Sequence, residues 1–114
     1  MLDVGLANVA ALRRANVPVL AGTDAGNADL ISGPSLLGEL TLLVRAGLTP
    51  TEALQAATSV PARAFSLTDR GRIAAGLRAD LVLVRDDPTA VIEHVRDIAA
   101  VWKNGYMVAR PEYD

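Results

Sequence analysis

The sequence predicts an α/β region followed by a mostly β region. Three observations predict it. Residues 4–15 carry Leu6, Val9, Ala10 and Arg13 at helical spacing and run straight into the wholly apolar stretch Val17–Ala21. A leucine stripe then follows a loop rich in Gly, Asn and Asp, and the last third holds short apolar runs separated by turn residues.

The first helix is expected over residues 4–15, with Asp3 as its N-cap and an end near Asn16. Val17-Pro-Val-Leu-Ala21 reads as a buried β-strand closed by Gly22, with Pro18 tolerable only near its start. Residues 22–33 form a loop at the C-terminal end of that strand, where α/β folds keep their chemistry. Pro34 opens the next helix. Leu36, Leu37, Leu40, Leu43 and Val44 line one face of it, and Gly47 ends it.

Thr49-Pro50-Thr51-Glu52 has the form of a capping box, and a helix to about Thr58 is expected after it. Ser59-Val60-Pro61 interrupts that helix, and a short one through Ala62, Ala64 and Phe65 follows in a new direction. Residues 70–80 are turn and short-strand material leading into the apolar strand Leu81–Val84, which Asp86-Asp87-Pro88 stops. A turn of helix is expected around 89–94. Ile98–Trp102 and Tyr106–Val108 then read as a hairpin through Asn104-Gly105.

Composition narrows the classes. Hydrophobic residues make up 51% of the 114, and nine glycines raise the apolar share to about 59%, against roughly 45–50% in soluble domains. A chain of this kind is expected to bury surface against something, another copy included. Eleven basic and 13 acidic residues give a net charge of −2 with no basic stripe, so neither nucleic acid nor an anionic membrane is an expected partner. With no cysteine there is no disulfide framework, thiol nucleophile or Cys-ligated zinc. No stretch approaches the roughly 20 apolar residues of a membrane helix, and a cytoplasmic location is the expectation.

Asp24, in Gly22-Thr23-Asp24-Ala25-Gly26, is the residue best placed for chemistry. A carboxylate just after a buried strand, among small neighbours that let an ion approach, can ligate a divalent metal and take a proton from metal-bound water. The same placement suits a turn-forming Asp that only pins the loop, and the residues by themselves leave both open. His94, the only histidine, sits between Glu93 and Arg96 and reads as a solvated surface residue. Ser35, Ser59 and Ser66 have no base paired to them in sequence context, and Gly22–Gly26 lacks the Lys-Ser/Thr ending of a phosphate loop. Glu39 falls off the leucine stripe and reads as a solvent or neighbour contact.

The ordered succession Gly-Thr-Asp-Ala-Gly-Asn from 22, Gly-Pro-Ser-Leu-x-x-Glu-Leu from 33, Ala-Gly-Leu-Thr-Pro from 46, Pro-Ala-Arg from 61 and Gly-Leu-Arg-Ala-Asp-Leu-Val-Leu from 76 resembles the amidohydrolase superfamily. Within it, the imidazolonepropionase and prolidase-like branch is the most similar. The likeness runs from about Asn16 to Arg110. It implies a (β/α)8 barrel of which residues 17–22 are the eighth strand. Residues 1–67 would form the C-terminal part of that barrel, and 68–114 the C-terminal strands of a flanking β-sandwich. It also implies that Asp24 is a ligand of a divalent metal, most simply zinc, and the general base in hydrolysis of an amide, cyclic amide or peptide-like substrate. Asp80 matches the sandwich and keeps its reading as a turn residue opening a strand.

Three departures from the family pattern shape the expectation. The paired histidines, the lysine or glutamate ligand and the further histidines of the family would all lie before Met1. Leu37 stands where many relatives have His. The sandwich strands would be left with unpaired edges. The expectation is a fragment, inactive and metal-free alone, whose partners are the missing N-terminal barrel segments. The alternatives are a non-catalytic module that forms a homo-oligomer and one half of a split hydrolase.

Overall fold

The computed structural model of the chain describes residues 2 to 23 and 34 to 110. Helix α1 spans Leu2–Arg14, with Arg13 and Arg14 in its last turn against the negative end of the helix dipole. Asp3 is not the N-cap: the helix already begins at Leu2, so Asp3 lies inside the first turn, where its carboxylate faces the positive end of the dipole. The helix closes on a Schellman pair. Asn16 N donates to the Arg13 carbonyl and Val17 N to the Leu12 carbonyl, each at 3.0 Å, with Asn16 in the left-handed region at φ 60°.

Val17–Ala21 departs from expectation. The segment is paired into no sheet, because a parallel strand needs neighbours to complete its ladder and the described residues supply none beside it. It is nevertheless held in place. Ala21 N donates to the Ala56 carbonyl at 2.8 Å, and Val19 and Ala21 pack on the core.

Helix α2, Pro34–Arg45, delivers most of the leucine stripe: Leu40 and Leu43 are buried and Leu37 and Val44 half-buried, while Leu36, counted into the stripe by its spacing, is exposed in the first turn. A second Schellman pair ends it, Gly47 N to the Val44 carbonyl and Leu48 N to the Leu43 carbonyl, with Gly47 at φ 115°. The capping box of α3, Pro50–Ala56, is complete: Glu52 N donates to Thr49 Oγ1 at 3.1 Å, and Thr49 N donates to Glu52 Oε1 at 3.0 Å. This helix stops at Ala56, short of Thr58, whose hydroxyl donates back to the Leu54 carbonyl at 2.8 Å. Helix α4, Ser59–Ala64, begins earlier than expected and takes Pro61 into its first turn, where the missing N–H has no intrahelical partner to lose.

Residues 70–80 form turns without the short strands expected there. The sheet consists of β1 (Leu81–Val84), β2 (Ile98–Lys103) and β3 (Tyr106–Met107), antiparallel in the order β1-β2-β3. Leu81 pairs with Trp102, Val82 with Val101 and Leu83 with Ala100, and the register shifts between Leu83 and Val84. The β2–β3 turn has both central residues at positive φ, Asn104 at 50° and Gly105 at 82°, the hairpin turn that an Asn-Gly pair predicts.

A 3-10 helix, Ile92–Arg96, follows the stop after β1 and ties the two regions together. It buries Ile92 and Val95 in one cluster with Leu40, Leu43, Leu48, Ala53 and Ala56. The sheet is poorly covered by comparison. Val82 is 60% exposed, Leu83 53%, Tyr106 78% and Met107 67%, and Ile73 on the preceding turn is 88% exposed. Part of the apolar excess in the composition thus lies on this surface, and part on the helices, where Val4 and Phe65 are also exposed. The described residues hold one three-stranded sheet and neither a barrel nor a second sandwich layer.

Candidate active site

Asp24, the residue predicted to carry the chemistry, lies outside the described residues. The structure does describe what leads into and out of its loop. The lead-in, residues 17–23, is fixed at its start by the Val17 hydrogen bond to Leu12 and again at Ala21 by the bond to Ala56. A Cβ placed on Gly22 would meet no atom of the described residues within 4 Å. The exit is α2, anchored by Leu40 and Leu43. The loop is therefore carried between two segments seated on the same core.

Two side chains near that exit matter to the electrostatics. Leu37 is half-buried and packs on the core, and it offers no polar atom there. Glu39 is half-buried, with no hydrogen-bond or ion-pair partner among the described residues, and burial alone pushes its carboxyl above the ordinary value. The sequence offered no signal for this beyond Glu39 falling off the leucine stripe.

The other titratable groups singled out in the sequence are tied into structure. Asp80 Oδ1 accepts from Asn104 N at 2.8 Å and from Arg78 Nε at 2.9 Å, and both bonds hold its carboxyl below the usual range, the Asn104 bond most. It stands just before β1, as its reading as a strand-opening turn residue has it, and clasps that turn to the β2–β3 hairpin. His94 Nδ1 lies 3.0 Å from the Asp87 carbonyl oxygen, and its Nε2 lies 3.8 Å from Asp86 Oδ2 on the exposed turn after β1.

A catalytic divalent metal takes about three protein ligands. The sequence has one histidine and no cysteine, and the described residues include no group of three or more His, Asp or Glu side chains that could hold an ion. The described residues do not make a complete metal centre by themselves. A cleft of about 520 Å³ is lined by Val17, Pro18 and Val19 together with Arg13 and Glu52, at the start of the lead-in.

The sequence model of the Amidohydrolase family matches residues 1–108. This chain belongs to the amidohydrolases. It is similar to the imidazolonepropionase of Cereibacter sphaeroides, with 48% identity over 80 residues, 66% of this chain and 19% of that protein. It is similar also to the adenine deaminase of Lysinibacillus sphaericus, with 38% identity over 81 residues, 71% of this chain and 13% of that protein. Among solved structures, a prolidase-like protein of Bifidobacterium longum matches with a TM-score of 0.85 and 30% identity, over 93% of this chain and 26% of that one. The amidohydrolase chain thus falls in the imidazolonepropionase and prolidase-like branch that its motifs indicated. It spans less than a fifth of the length of these curated relatives. Among the described residues no helix is long and apolar enough to cross a membrane.

Proposed function

We propose that this chain is the C-terminal part of a metal-dependent hydrolase that cleaves a carbon–nitrogen bond of an amide, cyclic amide or peptide-like small molecule. The observation that carries the reading is the family match across residues 1–108 combined with coverage of only 13–19% of the relatives. In this reading residues 1–67 end a barrel and residues 68–114 contribute to a flanking sandwich. Asp24 then contributes one carboxylate to a divalent metal site, zinc in the simplest case, whose other ligands come from outside the 114 residues. No catalytic step is assigned to the chain on its own, and in isolation it is inactive. A cytoplasmic location belongs to the same proposal.

The exposed apolar residues of the sheet favour a second reading, a non-catalytic module that covers this surface by forming a homo-oligomer. A split hydrolase, with the remaining barrel on another chain, meets the same need. One experiment separates the catalytic readings from the structural one. Asp24→Asn is introduced into the longer polypeptide encoded with this segment, or into the reconstituted pair. Loss of hydrolysis with an unchanged circular dichroism spectrum supports the assignment; full retention of activity removes it.

A further inference from the structure

Behind α4 lies a cleft of about 470 Å³ whose lining includes Arg63, Arg70, Arg72, Ser59, Ser66 and Thr68, and no carboxylate. The three guanidinium groups are not equally engaged. Arg70 is held by its neighbour, Nε to Asp69 Oδ1 at 2.9 Å and Nη2 to Asp69 Oδ2 at 3.3 Å. Arg63 and Arg72 both line this cleft and have neither ion-pair nor hydrogen-bond partners among the described residues; Arg63 also borders the cleft beside Val17–Val19.

The backbone around the cleft is fixed by contacts that do not involve those side chains. The chain leaves α4 through a third Schellman pair, Ser66 N to the Arg63 carbonyl at 3.2 Å and Leu67 N to the Ala62 carbonyl at 2.8 Å, with Ser66 at φ 56°. Gly71 then passes so close to α4 that a Cβ there would fall 2.5 Å from Ala62 Cβ and 2.9 Å from the Thr58 carbonyl oxygen. The segments carrying Arg63 and Arg72 are therefore locked against each other.

We propose that this cleft binds the phosphoryl group of a small phosphorylated molecule, with Arg63 and Arg72 supplying charge-assisted donors and Ser59, Ser66 and Thr68 supplying hydroxyl donors. A phosphoryl group presents three terminal oxygens and up to two negative charges, which matches two free planar forks and three hydroxyls. A carboxylate offers two oxygens and one charge, and would leave donors unused. The volume lies in the range of small-molecule sites, about 300–1,000 Å³. The proposal stands independently of the hydrolase reading, since none of these residues belongs to the Asp24 loop.

The test is a calorimetric titration of the chain with inorganic phosphate and with a phosphate monoester, at ionic strength held constant with sodium chloride. Saturable binding at one site is expected, weakened at least fivefold by Arg72→Gln and by Arg63→Gln. Arg14→Gln, which removes the same charge from the exposed end of α1, is expected to change affinity less than twofold. Arg72 lies on an exposed turn without partners, so its variant is expected to keep the native circular dichroism spectrum. Absence of saturable binding, or equal weakening by Arg14→Gln, would overturn the proposal. Acetate binding as tightly as phosphate would overturn the phosphoryl assignment.

Discussion

Arg13 at the end of α1 and Glu52 in the first turn of α3 meet fork to fork: Nη2 donates to Oε1 at 2.8 Å and Nε to Oε2 at 3.3 Å. The same Glu52 carboxylate accepts from Thr49 N to complete the capping box, so one side chain joins two helices and caps one of them. Arg13 and then Thr49 hold the Glu52 carboxyl down from 4.5 to about 2. A depressed acid contributes stability above its unfolded value and loses it as the pH falls through its folded value. The urea midpoint should therefore drop as the pH is lowered from 4.5 towards 2, and Glu52→Gln, which keeps a capping acceptor but no charge, should flatten that part of the profile. An unchanged profile in the variant would show that the bridge contributes nothing in solution.

Asp80 predicts a local effect. Its carboxylate accepts the Asn104 amide and the Arg78 guanidinium, so Asp80→Ala should free the β2–β3 turn while leaving the leucine core intact. Hydrogen exchange at the Asn104 amide should quicken by about tenfold or more, while the amides of α2 keep their protection.

Gly71 tolerates no side chain. At φ 95°, with Ala62 Cβ and the Thr58 carbonyl in the space a Cβ would need, Gly71→Ala combines backbone strain with a steric clash. A loss of about 1–3 kcal/mol is expected, read as a lower melting temperature than that of Gly76→Ala, where a Cβ meets nothing within 4 Å.

Leu43 sits at 3% exposure in a cluster of seven buried residues. Leu43→Ala should cost about 2–5 kcal/mol, a large part of the stability of a small domain, and Leu36→Ala on the exposed side of the same helix far less. Denaturant unfolding of the two variants checks the assignment of the core face.

What the sequence made legible was local. The capping box at Thr49–Glu52, the stop at Gly47 and the Asn104-Gly105 turn each rest on residues within four positions of one another, and each forms as its residues dictate. The leucine stripe predicted the buried face of α2 for the same reason, Leu36 excepted. Relationships that the fold alone creates left no trace in the sequence: Arg13 finds Glu52 across 39 positions, and Asp80 finds Asn104 across 24. Val17–Ala21 went the other way. Its apolar run fits a buried strand, but strand formation depends on neighbouring strands, and the described residues place none beside it. The reading of Asp24 as a metal ligand rests on motif and family resemblance alone, because the residue lies outside the described ones.

The central claim is that this chain contributes one ligand to a metal centre that other residues complete. The most direct measurement is metal content by mass spectrometry, taken with amide hydrolysis, on the 114-residue chain and on the longer or reconstituted protein after dialysis. The account predicts that the chain alone retains less than about a tenth of an equivalent of zinc and hydrolyses nothing, because a catalytic zinc needs about three protein ligands. It predicts that the completed protein retains metal and turns over substrate. One tightly held zinc and measurable turnover in the 114-residue chain would contradict it.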